Sequence, residues 1–118
     1  MLGPKTKLML FILGRFLSET DKGFENKPLT VFISKADFIK VLMKLRVAGK
    51  KERAIYSNLE RLGKAKMVKY DDRQLGLTRK GFLDYRKQVD SLNGYLDILT
   101  KLNAQKILRS AKVQTVLK

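Results

Sequence analysis

Lys50, Arg53, Ser57, Arg61 and Lys64 recur three or four residues apart, with Glu60 the one acid among them. At about 100° per residue, these positions share one side of a helix, while Ile55, Leu59 and Leu62 fall on the other. The chemistry open to such a face is electrostatic and hydrogen-bonding rather than bond-making. Lys and Arg neutralise phosphates or donate to guanine edges, and a small hydroxyl residue permits close approach to a groove. Lys51 and Tyr56 flank the face, and the Tyr56 phenol can reach a phosphate oxygen. A solvated helix surface has the same composition, so the neighbouring elements have to decide between the two readings.

Composition narrows the choice. The chain has 118 residues, a hydrophobic content of 44%, a formal net charge of +15 and a pI near 10.2. The length suits one domain with a single core, and the hydrophobic content suits a folded chain. A field of that sign attracts polyanions, either nucleic acid or an anionic membrane surface. There is no Cys and no His. Disulfides, thiolate metal sites and the usual general base are therefore excluded. The eleven acids are scattered apart from Asp71-Asp72, which sits in a predicted turn. No catalytic set, metal site or cofactor is expected, and the chain does not read as an enzyme.

The elements around the basic face are legible from pattern. The apolar run Leu8–Leu13 is interrupted by Arg15 and has no small-residue cleavage site after it. It predicts a buried first helix, Thr6 to Leu17, and not a signal peptide or a membrane span. Ser18 to Leu29 reads as a loop, and Thr30–Ile33 as a short strand. Ser34 is a helix N-cap, and Phe38, Val41, Leu42 and Leu45 line one face of a helix from Lys35 to Leu45. Ala48-Gly49 is the turn into the basic helix, which Gly63 ends as a left-handed cap. Met67–Tyr70 and Leu75–Leu77 form a hairpin across Asp71–Gln74, and Thr78 caps a helix that begins at Arg79.

Helix, strand, helix, turn, helix, hairpin, helix is the order of a winged helix-turn-helix domain. The predicted fold class is mainly α with a small β-hairpin wing (α+β), with the DNA-binding domain at 1–81. Lys69 and Arg73 on the wing would meet flanking backbone or minor groove.

Residues 82–118 are expected to form a dimerisation helix and a basic tail. Phe82, Tyr85, Val89, Leu92, Leu96 and Leu99 alternate three- and four-residue steps, the seam of a coiled coil, in which Phe82 and Tyr85 are also expected to pack on the domain's own core while Leu92 to Leu99 extends beyond it. The seam lapses at Asn103, and Asn93-Gly94 weakens the helix off the seam. From Lys101 to Lys118 there are five cations and no acid. Ile107 and Leu108 diverge from Val116 and Leu117, which disfavours a membrane-surface helix.

The run Ala54–Leu62 followed by Met67-Val68 resembles the recognition-helix signature of PadR-type winged-helix regulators. Leu77-Thr78-Arg79-Lys80-Gly81 is similar to the Leu-Thr-x-x-Gly that follows the wing in PadR- and MarR-like proteins. Together these segments cover about a third of the chain. Ser57 stands where the family often has Pro, and the Gly-Tyr that usually follows the first helix is absent. The resemblance implies a homodimer paired through the C-terminal helix, with Tyr56 and its neighbours at the DNA backbone.

The expected function is that of a cytoplasmic, nucleoid-associated homodimer binding double-stranded DNA, most simply as a transcriptional regulator. Its DNA-contacting residues would be Lys50, Lys51, Arg53, Tyr56, Ser57, Arg61, Lys64, Lys69 and Arg73. Two alternatives stay open. One is an architectural or plasmid-partition protein that coats DNA with little sequence preference, and the other is a module that docks onto a protein partner.

Overall fold

The structure is a computed structural model that describes residues 2–47 and 52–113, with side chains through residue 103 in the last helix. Helix α1, Pro4–Thr20, opens with Pro at its first turn, where the missing N–H costs nothing. It is longer at both ends than the apolar run alone implied. Met9, Leu10, Leu13 and Leu17 are fully buried along one side. Each such side chain stabilises the fold by about 1.5–3 kcal/mol.

The segment expected to be a plain loop holds two short 3-10 turns, Lys22–Phe24 and Pro28–Thr30. The Asp21 carboxylate starts the first by accepting from the Gly23 amide at 2.8 Å. That turn delivers Phe24 into the core.

Strand β1 (Phe32–Ser34) leads into helix α2 (Lys35–Leu45), capped as expected by Ser34 Oγ, which accepts from the Asp37 amide. Phe38, Ile39 and Leu42 are buried in α2, whereas Leu45 is exposed. Ile39, which the pattern did not assign to the core, is buried one turn into the helix, and Leu45 lies exposed at its last turn. Helix α3 spans Glu52–Lys64, with Ile55, Leu59 and Leu62 buried as their spacing required. The Ala48-Gly49 turn, Lys50 and Lys51 lie outside the described residues.

Gly63 does not terminate α3 as a left-handed cap. That role falls to Lys66, at φ 60°. The Met67 amide donates to the Leu62 carbonyl and the Lys66 amide to the Gly63 carbonyl, each at 3.0 Å. This is the Schellman arrangement that satisfies terminal carbonyls. Arg46, at φ 54°, ends α2 in the same way.

Strands β2 (Val68–Asp71) and β3 (Gln74–Leu77) form the expected hairpin around Asp72 and Arg73, with Asp72 at φ 58°. Asp tolerates that conformation better than most residues. The hairpin is part of a three-stranded antiparallel sheet in the order β1-β3-β2. Phe32 pairs with Gly76, which pairs with Lys69, so the three share one row. Gly76 leaves the space over which the Phe32 ring lies, since a β-carbon there would stand 2.9 Å from that ring.

Helix α4, Arg79–Val113, is tied to the end of α3 by Thr78. The Thr78 hydroxyl donates to the Lys66 carbonyl and accepts from the Gly81 amide, while the Thr78 amide donates to the Met67 carbonyl. Lys80 Nζ donates to the Ala65 carbonyl at 3.1 Å. A β-carbon at position 81 would collide with the Met67 carbonyl oxygen. The Leu-Thr-x-x-Gly run is thus a packing device that lets helix and backbone touch.

The chain divides into two compact units, Met1–Arg86 and Lys87–Lys118. The first unit takes in the start of α4, whose aromatic residues belong to its core. The Phe24 ring lies 5.7 Å from Phe82 and 6.1 Å from Tyr85, and Phe11 lies 5.9 Å from Tyr85. Tyr85 is 4% exposed and covers Gly14, where a β-carbon would strike its ring. Tyr85 is therefore a core residue and half-buried Phe82 belongs to the same cluster, so these two members of the seam pack on the first unit and leave only Val89, Leu92, Leu96 and Leu99 as candidates for pairing. Within the second unit Leu92, Leu96 and Leu99 are exposed, and Val89 is half-buried.

Replacing Gly81 by Ala should destabilise the chain by about 1–3 kcal/mol or more, because rigid backbone must yield to the new methyl. Urea unfolding should show a lower midpoint with an unchanged slope. An unchanged midpoint would mean that α4 does not need this close approach.

Candidate nucleic-acid interface

The side of α3 opposite the core carries Arg53, Ser57, Arg61 and Lys64, all exposed. They fall within an arc of about 80° around the helix. Lys64 Nζ lies 3.4 Å from a Glu60 carboxylate oxygen, an exposed pair that leaves the face strongly positive.

Asn58 holds this face in place from behind. It is 7% exposed, donates from Nδ2 to the Ala54 carbonyl at 2.8 Å, and accepts at Oδ1 from Thr6 Oγ1 at 2.6 Å. This bond joins α3 to the first turn of α1 in the interior. It brings Lys5 beside Ser57 and Arg61, around an open hollow of about 500 Å³.

On the other flank, Lys35, Tyr56, Leu59, Glu60, Gly63, Lys64, Val68 and Tyr70 line a groove of about 570 Å³ between α3 and β2. Lys35 Nζ lies 5.9 Å from the centre of the Tyr56 ring and 5.2 Å from that of Tyr70, within cation–π range of both. The Tyr56 hydroxyl donates to Glu52 Oε1 at 3.1 Å. That bond first, then the carboxylate charge and then burial, raise the Tyr56 pKa above the ordinary phenol value. Burial raises that of Tyr70. Both phenols are therefore neutral at physiological pH.

The β2–β3 hairpin is fastened at its turn, where the Arg73 carbonyl accepts from the Lys35 amide at 3.1 Å. The Arg73 side chain is exposed. Lys69 is placed differently from Tyr70, because successive strand residues face opposite ways. Its ammonium lies 5.4 Å from the centre of the Phe32 ring, on the sheet face away from the groove.

Of the residues singled out in the sequence, Arg53, Ser57, Arg61 and Lys64 thus come together. Tyr56 turns into the adjoining groove, and Lys69 stands apart on the far face of the sheet. Lys50 and Lys51 lie outside the described residues. Lys5, Lys35 and Tyr70 also border this face or its groove, and the sequence did not single them out. Alternation from buried Val68 could have placed Tyr70 on the helix side of β2, but Lys5 and Lys35 arrive only through tertiary packing.

No helix among the described residues is long and apolar enough to cross a membrane. No protein-family model matches the chain, and no curated protein or solved structure is significantly similar to it. The PadR-like resemblance therefore rests on the motif residues alone.

Thr6→Val should cost about 1–3 kcal/mol, since it leaves the Asn58 carbonyl oxygen buried without its donor. Thr6→Ser, which keeps the hydroxyl, should recover most of that loss in the same denaturation measurement. Equal stability of all three proteins would remove this bond from the account.

Proposed function

We propose that the chain is a winged-helix protein that binds double-stranded DNA, with α3 in the major groove and the β2–β3 turn against the flanking backbone. The observation that carries this reading is the exposed row of Arg53, Ser57 and Arg61. These residues lie on a helix whose opposite side is locked into the core, beside a hairpin turn bearing Arg73. Arg53 and Ser57 are placed to approach base edges, while Arg61, Lys64 and Arg73 neutralise phosphates. A promoter-specific regulator is the simplest form of this function.

A second reading, a DNA-coating protein with little sequence preference, is favoured by the net charge of +15 and by Lys5 adding to the cations around Ser57. Electrostatic binding of that kind needs no base contacts. A footprint separates the two readings, since a regulator protects one site and a coating protein protects a spreading tract.

The same titration tests the groove assignment. Log affinity for duplex DNA should fall with log salt at a slope of about −0.9 per phosphate contact. Arg53→Ala should cost about 1–3 kcal/mol on a preferred site and much less on scrambled duplex. Arg73→Ala should weaken both alike, because a phosphate contact carries no sequence information. A slope near zero would defeat the electrostatic mechanism, and equal losses for Arg53→Ala would favour coating over reading.

The functional unit we propose is a homodimer paired through α4. Leu92, Leu96 and Leu99 lie on one side of the helix, and each is two-fifths or more exposed in the single chain. Tyr95 and Leu102 widen that apolar strip. The Asp97–Lys101 ion pair, at 3.1 Å, lies on the opposite side. Val89 extends the strip toward the N-terminal end of the unit. Replacing Leu92 and Leu96 together by Lys should put like charges into the seam and give monomers in sedimentation. A wild-type monomer at micromolar concentration would refute the pairing.

A further inference from the structure

Gly63 has no conformational reason to be glycine. It is not the left-handed residue that ends α3, since Lys66 has that role, and it lies inside the helix. A glycine in a helix interior is less stable than alanine there. A β-carbon at this position would meet only the Tyr70 ring, at 3.7 Å, which is ordinary contact. Alanine would therefore fit, and what it would take away is depth in the groove between α3 and β2.

The walls of that groove are matched to one class of ligand. Tyr56 from α3 and Tyr70 from β2 are each 46% exposed. Leu59, Gly63 and Val68 contribute the apolar or side-chain-free part of the lining, and Glu60 and Lys64 stand near each other along it. The Lys35 ammonium already lies over both rings, held by exposed cation–π contacts that a stacking base would replace as the cation moves to a phosphate. Exposed aromatic faces beside cations bind unpaired nucleobases, which stack on the rings while their phosphates meet the charges. The Glu60 carboxylate can accept from exocyclic or ring N–H groups of a base.

We propose that this groove binds an unpaired nucleobase, so that the protein favours DNA carrying a single-stranded segment over fully paired duplex. In the bound state the base stacks on Tyr70 and Tyr56, and Lys35 and Lys64 contact the phosphates of the unpaired strand. The inference rests on the nucleic-acid reading above, and it adds a ligand feature that major-groove binding does not require.

The test uses the full chain and three fluorescein-labelled probes: an oligothymidylate strand, a blunt duplex, and the same duplex with a short single-stranded overhang. The overhang should bind more tightly than the blunt end. Tyr70→Leu, which keeps apolar bulk but removes the stacking face, should lower affinity for strand and overhang by about 5- to 150-fold, with blunt duplex changed by less than about twofold. Gly63→Ala should weaken the same two probes while raising the melting temperature, a combination that damage to the fold cannot produce. Because the chain has four tyrosines and no tryptophan, stacking should also quench its intrinsic emission on adding the strand, and less so in Tyr70→Leu.

Blunt-duplex binding with a salt slope but no gain from the overhang would overturn the groove proposal and leave the duplex reading standing. Tyr70-dependent strand binding without blunt-duplex binding would do the reverse. Equal losses on all three probes in Tyr70→Leu, or no binding to any, would overturn the proposal.

Discussion

The arrangement of the first unit depends on one close approach, that of the start of α4 to the backbone leaving α3. Gly81 lets the helix lie against the Met67 carbonyl, and Thr78 joins the two segments with its hydroxyl and its amide. That contact fixes where β2 begins and where β3 ends, and so fixes the hairpin. It also directs Phe82 and Tyr85 toward Phe24 and Phe11, which closes the core over Gly14. A larger residue at position 81 would separate α4 from α3 and disturb the sheet and the aromatic cluster together. The Leu-Thr-x-x-Gly motif therefore informs about packing, and its presence does not by itself point to DNA.

Much of this was legible because it is periodic or local. The range of α2 followed from Ser34 and the apolar spacing after it, and the inner face of α3 from Ile55, Leu59 and Leu62. The errors have a common physical source in tertiary contact. Lys66, with an unfavourable left-handed backbone, ends α3 because Met67 and Thr78 are held by α4, so local preference for Gly63 was overridden. Strand β1 joins the hairpin through β3, a non-local pairing that three residues cannot announce. Phe24 sits in a polar segment, yet a 3-10 turn sends it inward. Asn58 is a polar residue to which the apolar spacing assigns no place, and its burial is explained only by Thr6, far away in sequence.

The exposed surfaces on either side of α3 suit different chemistry. Around Ser57 the surface is open and cationic, with Arg61 and Lys5 at a shallow hollow that a phosphate chain can follow. Around Gly63 it is aromatic and partly apolar, with Lys35 drawn onto two rings. Net charge describes the first surface well and the second poorly. Lys69 illustrates the difference, because a lysine on the hairpin counts equally in any sum of charge, whereas the pleat places its ammonium at Phe32 on the other sheet face. Position on the fold, more than the number of cations, decides which of them can act together.

Charge also bears on self-association. A chain with a net charge of +15 repels its copies, and pairing must occur where that repulsion is weakest. From Lys87 to Asn103 the sequence contains Lys87 and Lys101 balanced by Asp90 and Asp97. The excess positive charge thus lies outside the stretch that exposes Leu92, Leu96 and Leu99. On the proposed reading, two copies meet through a neutral apolar strip, and the cationic surfaces are left for a polyanion. Because bound DNA neutralises the charge that opposes pairing, DNA binding and dimerisation should reinforce each other. Higher salt has opposing effects in this scheme, since it screens repulsion between the copies while weakening their hold on phosphate. A dimer that persists at a salt concentration sufficient to release DNA is the expected consequence, and sedimentation with and without duplex across that range measures it.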